Sequence, residues 1–364
     1  MRLVLVFLAC VSCAYALTIA AAVGGTPVSY TIPLLPTNAS LLIIDSNYIS
    51  ANITHDVLGS FNRTRDIVLN TIDVRVPIYV FVYFTEIASI NGDTILASGS
   101  PTSYIEDLAR PQRASSDASG LLEESNGTLS AIALAQNRLG ERLSNEYDIF
   151  IKVNPRIKWY FDSDSNITAS EFDFASVLFH EILHGLGWSG LVYNATNITP
   201  QNKQFSDYDI HVVNVGGFSL VQAVREDTGT AFYELGGILY DFEQSVSTGD
   251  SVSITNFLLP VTAILYIRPK WIEGMTLYHF DQTTYESSPN SLMLPFFPAG
   301  SIIETPGLNG IQVLGSIGWN ISLVALGVAV ELQNLWTPEP VVAGTTSLIG
   351  VTLIMLMSMM LNIL

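Results

Sequence analysis

His180, Glu181 and His184 carry the strongest chemical signal in the chain. They open the stretch HEILHGLGW, in which two histidines stand four residues apart, a glutamate follows the first and glycines follow the second. On an α-helix, positions i and i+4 lie one turn apart on the same face, so the two imidazoles project toward one point. Zinc takes imidazole nitrogens at about 2.0 to 2.1 Å, and this geometry supplies two of them. Glu181 is turned about 100° from His180 around the helix axis. It can reach a water on the metal without displacing it. The metal lowers the pKa of that water toward about 7, and the carboxylate takes its proton as the water attacks a carbonyl. The expected roles are His180 and His184 as metal ligands and Glu181 as general base.

Short patterns of this kind recur by chance, and two helical histidines can equally be satisfied core or surface residues. The surroundings favour the metal. Phe172, Phe174, Val177, Leu178, Ile182 and Leu183 fill the other faces of the helix, so it is expected to be buried. Two histidines and a carboxylate buried there without partners would be costly. A catalytic zinc also wants a third protein ligand and one open position. The remaining histidines are His55, His211 and His279. His55 lies in a sequon-bearing N-terminal region and reads as surface. His211 sits on the strand-like run SDYDIHVVN, and His279 in TLYHFDQTTYESSPNSLMLP, ahead of Met293 and Pro295. Asp281, two residues past His279, is a candidate to hydrogen-bond a ligand or to replace it as a carboxylate ligand, and equally a solvated loop aspartate.

The elements that must position these residues can be read from periodicity. DVLGSFNRTRDIVLNTI has helical spacing of its apolar residues, and VPIYVFVYFTEI, β-branched and aromatic, predicts a strand. RASSDASGLLEESNGT, Arg113 to Thr128, is polar and rich in Gly and Ser and predicts a loop. TLSAIALAQNRLGERL repeats Leu129, Ile132, Ala135, Leu139 and Leu143 at helical spacing, a stripe expected to pack into the core. YDIFIKVN predicts a strand that either completes a sheet or offers an edge to an extended substrate. SNITASEFDFASVLFHEILHGLGW predicts the metal helix, with Ser170 and Asp173 spaced as a capping box, Gly185 and Gly187 ending it, and Trp188 in the core. From Ser189 to about Gly274, short β-type runs alternate with Gly, Asn and Asp, which predicts a strand-rich inserted subdomain over about 191–274. GLNGIQVLGSIGW reads as a short closing helix. The fold class expected from this order is α+β.

Composition and the chain ends bear on where such a site would work. The formal charge of -18 repels phosphates over most of the surface and argues against a nucleic-acid partner. Residues 1–16, with Arg2, an apolar run from Leu3 and the small residues Ala14 and Ala16, read as a secretory signal peptide. Cys10 and Cys13 both lie inside it, so the mature chain would hold no disulfide. Sequons at Asn38, Asn52, Asn62, Asn126, Asn166, Asn194, Asn197 and Asn320 point to N-glycans on a eukaryotic secretory route. Residues 321–364 read as a stalk and a hydrophobic tail. No Lys or Arg follows Lys270, so a GPI-attachment signal near Ala343, Gly344 or Thr345 fits better than a stop-transfer membrane helix, which remains the alternative. An extracellular, cell-surface location is the expectation.

HEILHGLGW, a long insert, YHFD, NSLMLP and GIQVLGSIGW together resemble the secreted HExxH zinc metallopeptidases of metzincin type. The spacing looks like that of the leishmanolysin-like members, in which an inserted subdomain separates the helix from the third histidine. The chain is also similar to secreted bacterial proteins with an HGLGF-type helix and a downstream H-x-D and L-M-x-P. The likeness runs from about Leu58 to Asn320 and takes in DIVLNTIDVRVPIYVFVYF and GDTILASGSPTSY. It implies a metzincin-like domain within 17–320, one catalytic Zn2+ held by His180, His184 and His279, Glu181 as base, and Met293 in a turn beneath the metal. The chain departs from the short metzincin pattern six residues after His184, where Gly190 stands in place of a third histidine. His279 lies 95 residues beyond His184, and no tyrosine directly follows the Met turn, so a tyrosine ligand is not implied. The function expected is a secreted or surface-anchored zinc endopeptidase acting on proteins or peptides. The alternative is a catalytically inactive, metallopeptidase-like adhesin or binding protein; a zinc hydrolase of a non-peptide bond is a third.

Overall fold

The computed structural model describes residues 16–23, 26–33, 42–46, 54–90, 92–106, 128–144, 146–161, 166–192, 204–225, 238–241, 245–247, 253–255, 262–267, 272 and 274–336. It is a mixed α/β chain with several small sheets, compatible with the α+β class. Strands β1 (Ala16–Val23) and β2 (Thr26–Pro33) form an antiparallel pair. The largest sheet is built from β3 (Leu42–Ser46), β4 (Ile78–Phe84), β5 (Ala97–Pro101) and β8 (Ile149–Val153) in the order β3-β4-β8-β5. The first three run parallel and β5 is antiparallel. Helix α1 (Thr54–Thr71) makes the crossover between β3 and β4, as a parallel pair requires.

Alternation along the strands explains which face is covered. Ile78, Val80 and Val82 of β4 and Ile149, Ile151 and Val153 of β8 are buried, while Tyr79, Phe81, Tyr83, Phe150 and Lys152 point the other way. Against the sheet pack α1 and α3 (Phe174–Gly185), every residue of which is buried. A helix apolar on nearly all sides can sit only in such an interior. Its entry is fixed twice. Phe174 gathers Phe61, Phe84, Trp159 and Phe161 at ring distances of 4.9 to 5.9 Å. Asp173 is the N-cap, accepting from the Ser176 N–H at 2.9 Å, and is ion-paired with Arg63 of α1. The cap is therefore Asp173 itself; Ser170 is exposed in the preceding turn, and the capping box predicted for that pair does not form.

Because Asp173 is wholly buried, removing its charge strips Arg63 of a partner and the helix of its cap. Asp173→Ala is expected to lower unfolding stability by about 3 kcal/mol, within the range for breaking a buried pair, measured by urea denaturation. A loss under about 1 kcal/mol would show that the cap and ion pair do not hold α3 in place.

Two other sequence expectations change. Leu129–Ala131 form strand β7, paired with β6 (Tyr104–Glu106), and α2 spans only Ile132–Leu139, closed by Gly140 in the left-handed conformation. Ile132 and Ala135 are buried, but Leu139 and Leu143 are 43% and 45% exposed, because the helix stops before its stripe can continue into the core. Of the two readings of YDIFIKVN, the structure takes the first: it is β8, hydrogen-bonded on both sides within the sheet, and among the described residues the edges are β3 and β5. The short strands β9 (Trp159–Tyr160) and β10 (Phe172–Asp173) pair in parallel just before α3.

Beyond α3 come a 3-10 turn at Asp209–His211, β11 (Val212–Asn214), α4 (Leu220–Arg225), β12 (Ile238–Asp241), β13 (Ser245–Ser247), β14 (Ser253–Thr255) and β15 (Thr262–Ile264). β11, β12 and β15 form one antiparallel sheet and β13 and β14 a hairpin. The chain then runs through α5 (Gln282–Tyr285), a 3-10 turn at Ser291–Met293, α6 (Gly307–Ile317) and α7 (Leu323–Trp336). The closing helix read from GLNGIQVLGSIGW is α6. The predicted signal peptide, apart from Ala16, and the tail beyond Trp336 lie outside the described residues, as does the predicted loop Arg113 to Thr128 apart from Thr128 itself.

Candidate metal centre

His180 and His184 face one side of α3, and His279 arrives from the segment that leads into α5. All three are buried, and one ligand nitrogen from each lies within 4.8 Å of the others. The Nε2 atoms are nearer still, at 3.1 Å between His180 and His184, 3.1 Å between His180 and His279, and 3.3 Å between His184 and His279.

The other ring nitrogens decide what those contacts are. Nδ1 of His180 lies 2.7 Å from the Leu292 carbonyl, Nδ1 of His184 2.8 Å from the Trp188 carbonyl, and Nδ1 of His279 3.1 Å from the Met275 carbonyl. A carbonyl oxygen only accepts, so each Nδ1 carries the proton and donates it. In the neutral ring each Nε2 is then a bare lone pair. Burial pushes all three imidazoles down, His180 to about 3 and His184 to about 4, and His279 well below its ordinary value, so the neutral form holds at physiological pH. Three acceptors aimed at one another repel. A cation between them resolves the repulsion, and ligands at about 2.0 to 2.1 Å in a tetrahedral arrangement would stand about 3.3 Å apart, close to the spacing seen. The residues therefore fit a metal ion.

A family model described as SPBPB7E8-like matches residues 48–195, which take in α1, β4 to β10 and α3 with both of its histidines and stop short of His279. No curated protein and no solved structure matches the chain.

Glu181 is buried beside the first histidine, and burial pushes its carboxyl up to about 8 against the opposing pull of a hydrogen bond from the Gly99 N–H. That donor comes from β5. Thr102 N–H bonds to the Asp148 carbonyl and Asn154 N–H to the Leu96 carbonyl, so the even-numbered residues of this strand pair with β8. Ala97, Gly99 and Pro101 turn their backbone groups outward. Pro101, which has no N–H to offer, sits at one of these outward positions. The approach is close enough to exclude a side chain: a Cβ on Gly99 would stand 2.4 Å from the Glu181 carbonyl oxygen. An isolated glycine inside a strand is the sequence signal that could have marked this contact.

The remaining candidates go elsewhere. His211 is buried on the 3-10 turn, not on a strand, and its Nε2 lies 3.2 Å from the Ser316 carbonyl of α6, outside the histidine group. Asp281 caps α5, its Oδ1 accepting from Thr284 N–H at 2.8 Å and from the Thr284 hydroxyl at 2.6 Å. The side chain of His55 lies outside the described residues. Met293 is fully buried and its carbonyl accepts from the Phe280 N–H at 2.8 Å, one residue past His279. Gly185 is the last residue of α3, where a Cβ would meet Ile149 of β8 at 2.2 Å, and Gly187, at φ +110°, makes the turn that follows, so the two glycines end the helix as expected. Trp188 is fully buried, as expected.

Proposed function

We propose that the chain is a zinc-dependent endopeptidase of metzincin type that works outside the cell or at its surface. The observation that carries this reading is the set of three inward-facing Nε2 lone pairs next to a buried glutamate. His180, His184 and His279 would hold the ion. A bound zinc supplies Lewis acidity, acidifying a water and polarising a carbonyl.

The chain's own residues supply the rest. The charge of a bound cation would draw the Glu181 carboxyl back to its ionised form, and the carboxylate would then remove the proton of the attacking water and return it to the leaving amine, so no covalent bond to the protein would form. The Gly99 N–H holds the carboxylate from one side. The outward backbone groups of β5 lie along the same approach, and an extended peptide could add to that edge by strand pairing, with its main chain carried past Glu181. Secretion and surface attachment are supported by the reading of both chain ends and by the sequons, of which Asn166 is exposed and Asn62 and Asn320 half-buried. Among the described residues no helix is long and apolar enough to cross a membrane.

The test is metal content and turnover measured on the same sample. The mature protein should carry about one zinc per chain and hydrolyse an unstructured protein substrate, and a strong chelator should stop hydrolysis until zinc is restored. Zinc binding without hydrolysis of peptides or proteins would sink the peptidase and favour the adhesin. Cleavage of esters alone would favour the non-peptide hydrolase, and absence of any metal would remove the basis of both hydrolases.

A further inference from the structure

A ligand 95 and 99 residues from its partners has no local geometry to place it, so something in the packing must. The contacts behind the metal helix identify a device. Gly190, six residues past His184, has no room for a side chain: a Cβ there would stand 2.0 Å from Asp209 Oδ1 and 2.6 to 2.7 Å from the Tyr278 ring and hydroxyl. Asp209 is wholly buried. Its Oδ2 accepts from the Leu191 N–H at 2.8 Å and from the Ser206 N–H and hydroxyl, both at 2.9 Å, and among the described residues its Oδ1 has no hydrogen-bond partner. The neighbouring Tyr208 donates its hydroxyl to the Leu277 carbonyl at 2.7 Å, and Tyr278 donates its own to the Val192 carbonyl at 2.7 Å.

Leu277 adopts φ +72°, and it alone does so among the described non-glycine residues. A branched side chain adopts that conformation at a cost, so it persists only where the surroundings hold it. His279 follows two residues later, with the Leu277 N–H and the His279 carbonyl both bonded to Tyr266. A peptide that relaxed at Leu277 would swing the imidazole away from the other two.

We propose that Tyr208 and Asp209 are positioning residues for the third imidazole: the turn Ser206–Asp209 ties the exit of α3 at Leu191 to the turn at Leu277, and so fixes where His279 meets His180 and His184. The proposal rests on the reading of the three histidines as a zinc site. It gives the segment after the helix a task that a nearby histidine would otherwise make unnecessary.

Tyr208→Phe removes one hydroxyl and keeps the ring in its packing between Trp188 and Tyr278. Zinc affinity, measured by competition with chelators of graded strength, should fall about 10- to 100-fold, the range for groups that orient a ligand. In a His279→Ala background the same change should alter affinity by less than about 2-fold, since a residue acting through His279 has nothing left to position. Asp209→Asn, whose amide oxygen can accept the same three bonds, should recover most of the affinity that Asp209→Ala loses. Zinc binding by Tyr208→Phe equal to that of the parent, or an equal loss in both backgrounds, overturns the role of Tyr208; an Asn variant no better than Ala overturns that of Asp209. If the parent chain binds no zinc, the metal reading itself fails, an outcome distinct from either.

Discussion

Glu181→Gln is expected to keep its zinc and lose turnover, with kcat falling about 10²- to 10⁴-fold, or roughly 3 to 5 kcal/mol of added barrier. Glutamine has the same shape, and its amide oxygen can still accept the Gly99 N–H that holds the native carboxylate. The three imidazoles, each fixed by its own carbonyl, are untouched by the change. Zinc stoichiometry should therefore match the parent, and KM should move little, because what is lost is a proton acceptor used in the transition state. Glu181→Asp separates reach from chemistry. It retains a base but withdraws it by one methylene, and a displacement of about 1 Å at a reacting group costs on the order of 10²-fold. The pair of variants is read by steady-state kinetics on an unstructured protein substrate beside zinc analysis of the same preparations. Hydrolysis by Glu181→Gln at the parental rate would remove Glu181 from the reaction.

What could be read from the sequence and what could not divide along a physical line. Local pattern suffices for α1, β4 and β8, whose buried face has a period written in consecutive residues, and for α3 and α6, which are buried all round and apolar over nearly their whole length. It suffices also for the His180–His184 pair, because one helical turn brings them together whatever the rest of the chain does. Order within a sheet is not local: β8 reads like any alternating strand, and only pairing with β4 and β5 makes it interior. The length of α2 failed for a related reason, since helical spacing runs on through Leu139 and Leu143 while Gly140 stops the helix. The sequence places the cap of α3 three residues early because Asp173 fits both as the last member of a box and as a cap, and its half-buried partner Arg63 lies 110 residues away. The backbone carbonyls of Leu292, Trp188 and Met275, which set the tautomers of the three histidines, leave no trace in side-chain identity.

His279→Ala should abolish stoichiometric zinc binding, weakening affinity roughly 100-fold or more, while His211→Ala should leave it within about 3-fold of the parent. Sequence offers both histidines as the third ligand, and the two occupy opposite kinds of place. Nε2 of His279 stands 3.1 and 3.3 Å from those of His180 and His184. Nε2 of His211 lies instead against the Ser316 carbonyl, a buried contact that the substitution removes. That predicts a structural cost for His211→Ala of about 1 to 3 kcal/mol with the metal retained. For His279→Ala the order reverses. Removing one of three mutually repelling acceptors relieves the metal-free chain, so its stability without zinc should change little or rise, while the stabilisation that added zinc confers on the parent disappears. Thermal unfolding of each variant with and without zinc, beside metal analysis, separates the two patterns. Zinc held at parental affinity by His279→Ala would mean that another donor completes the site and would break the link between the far segment and the metal helix.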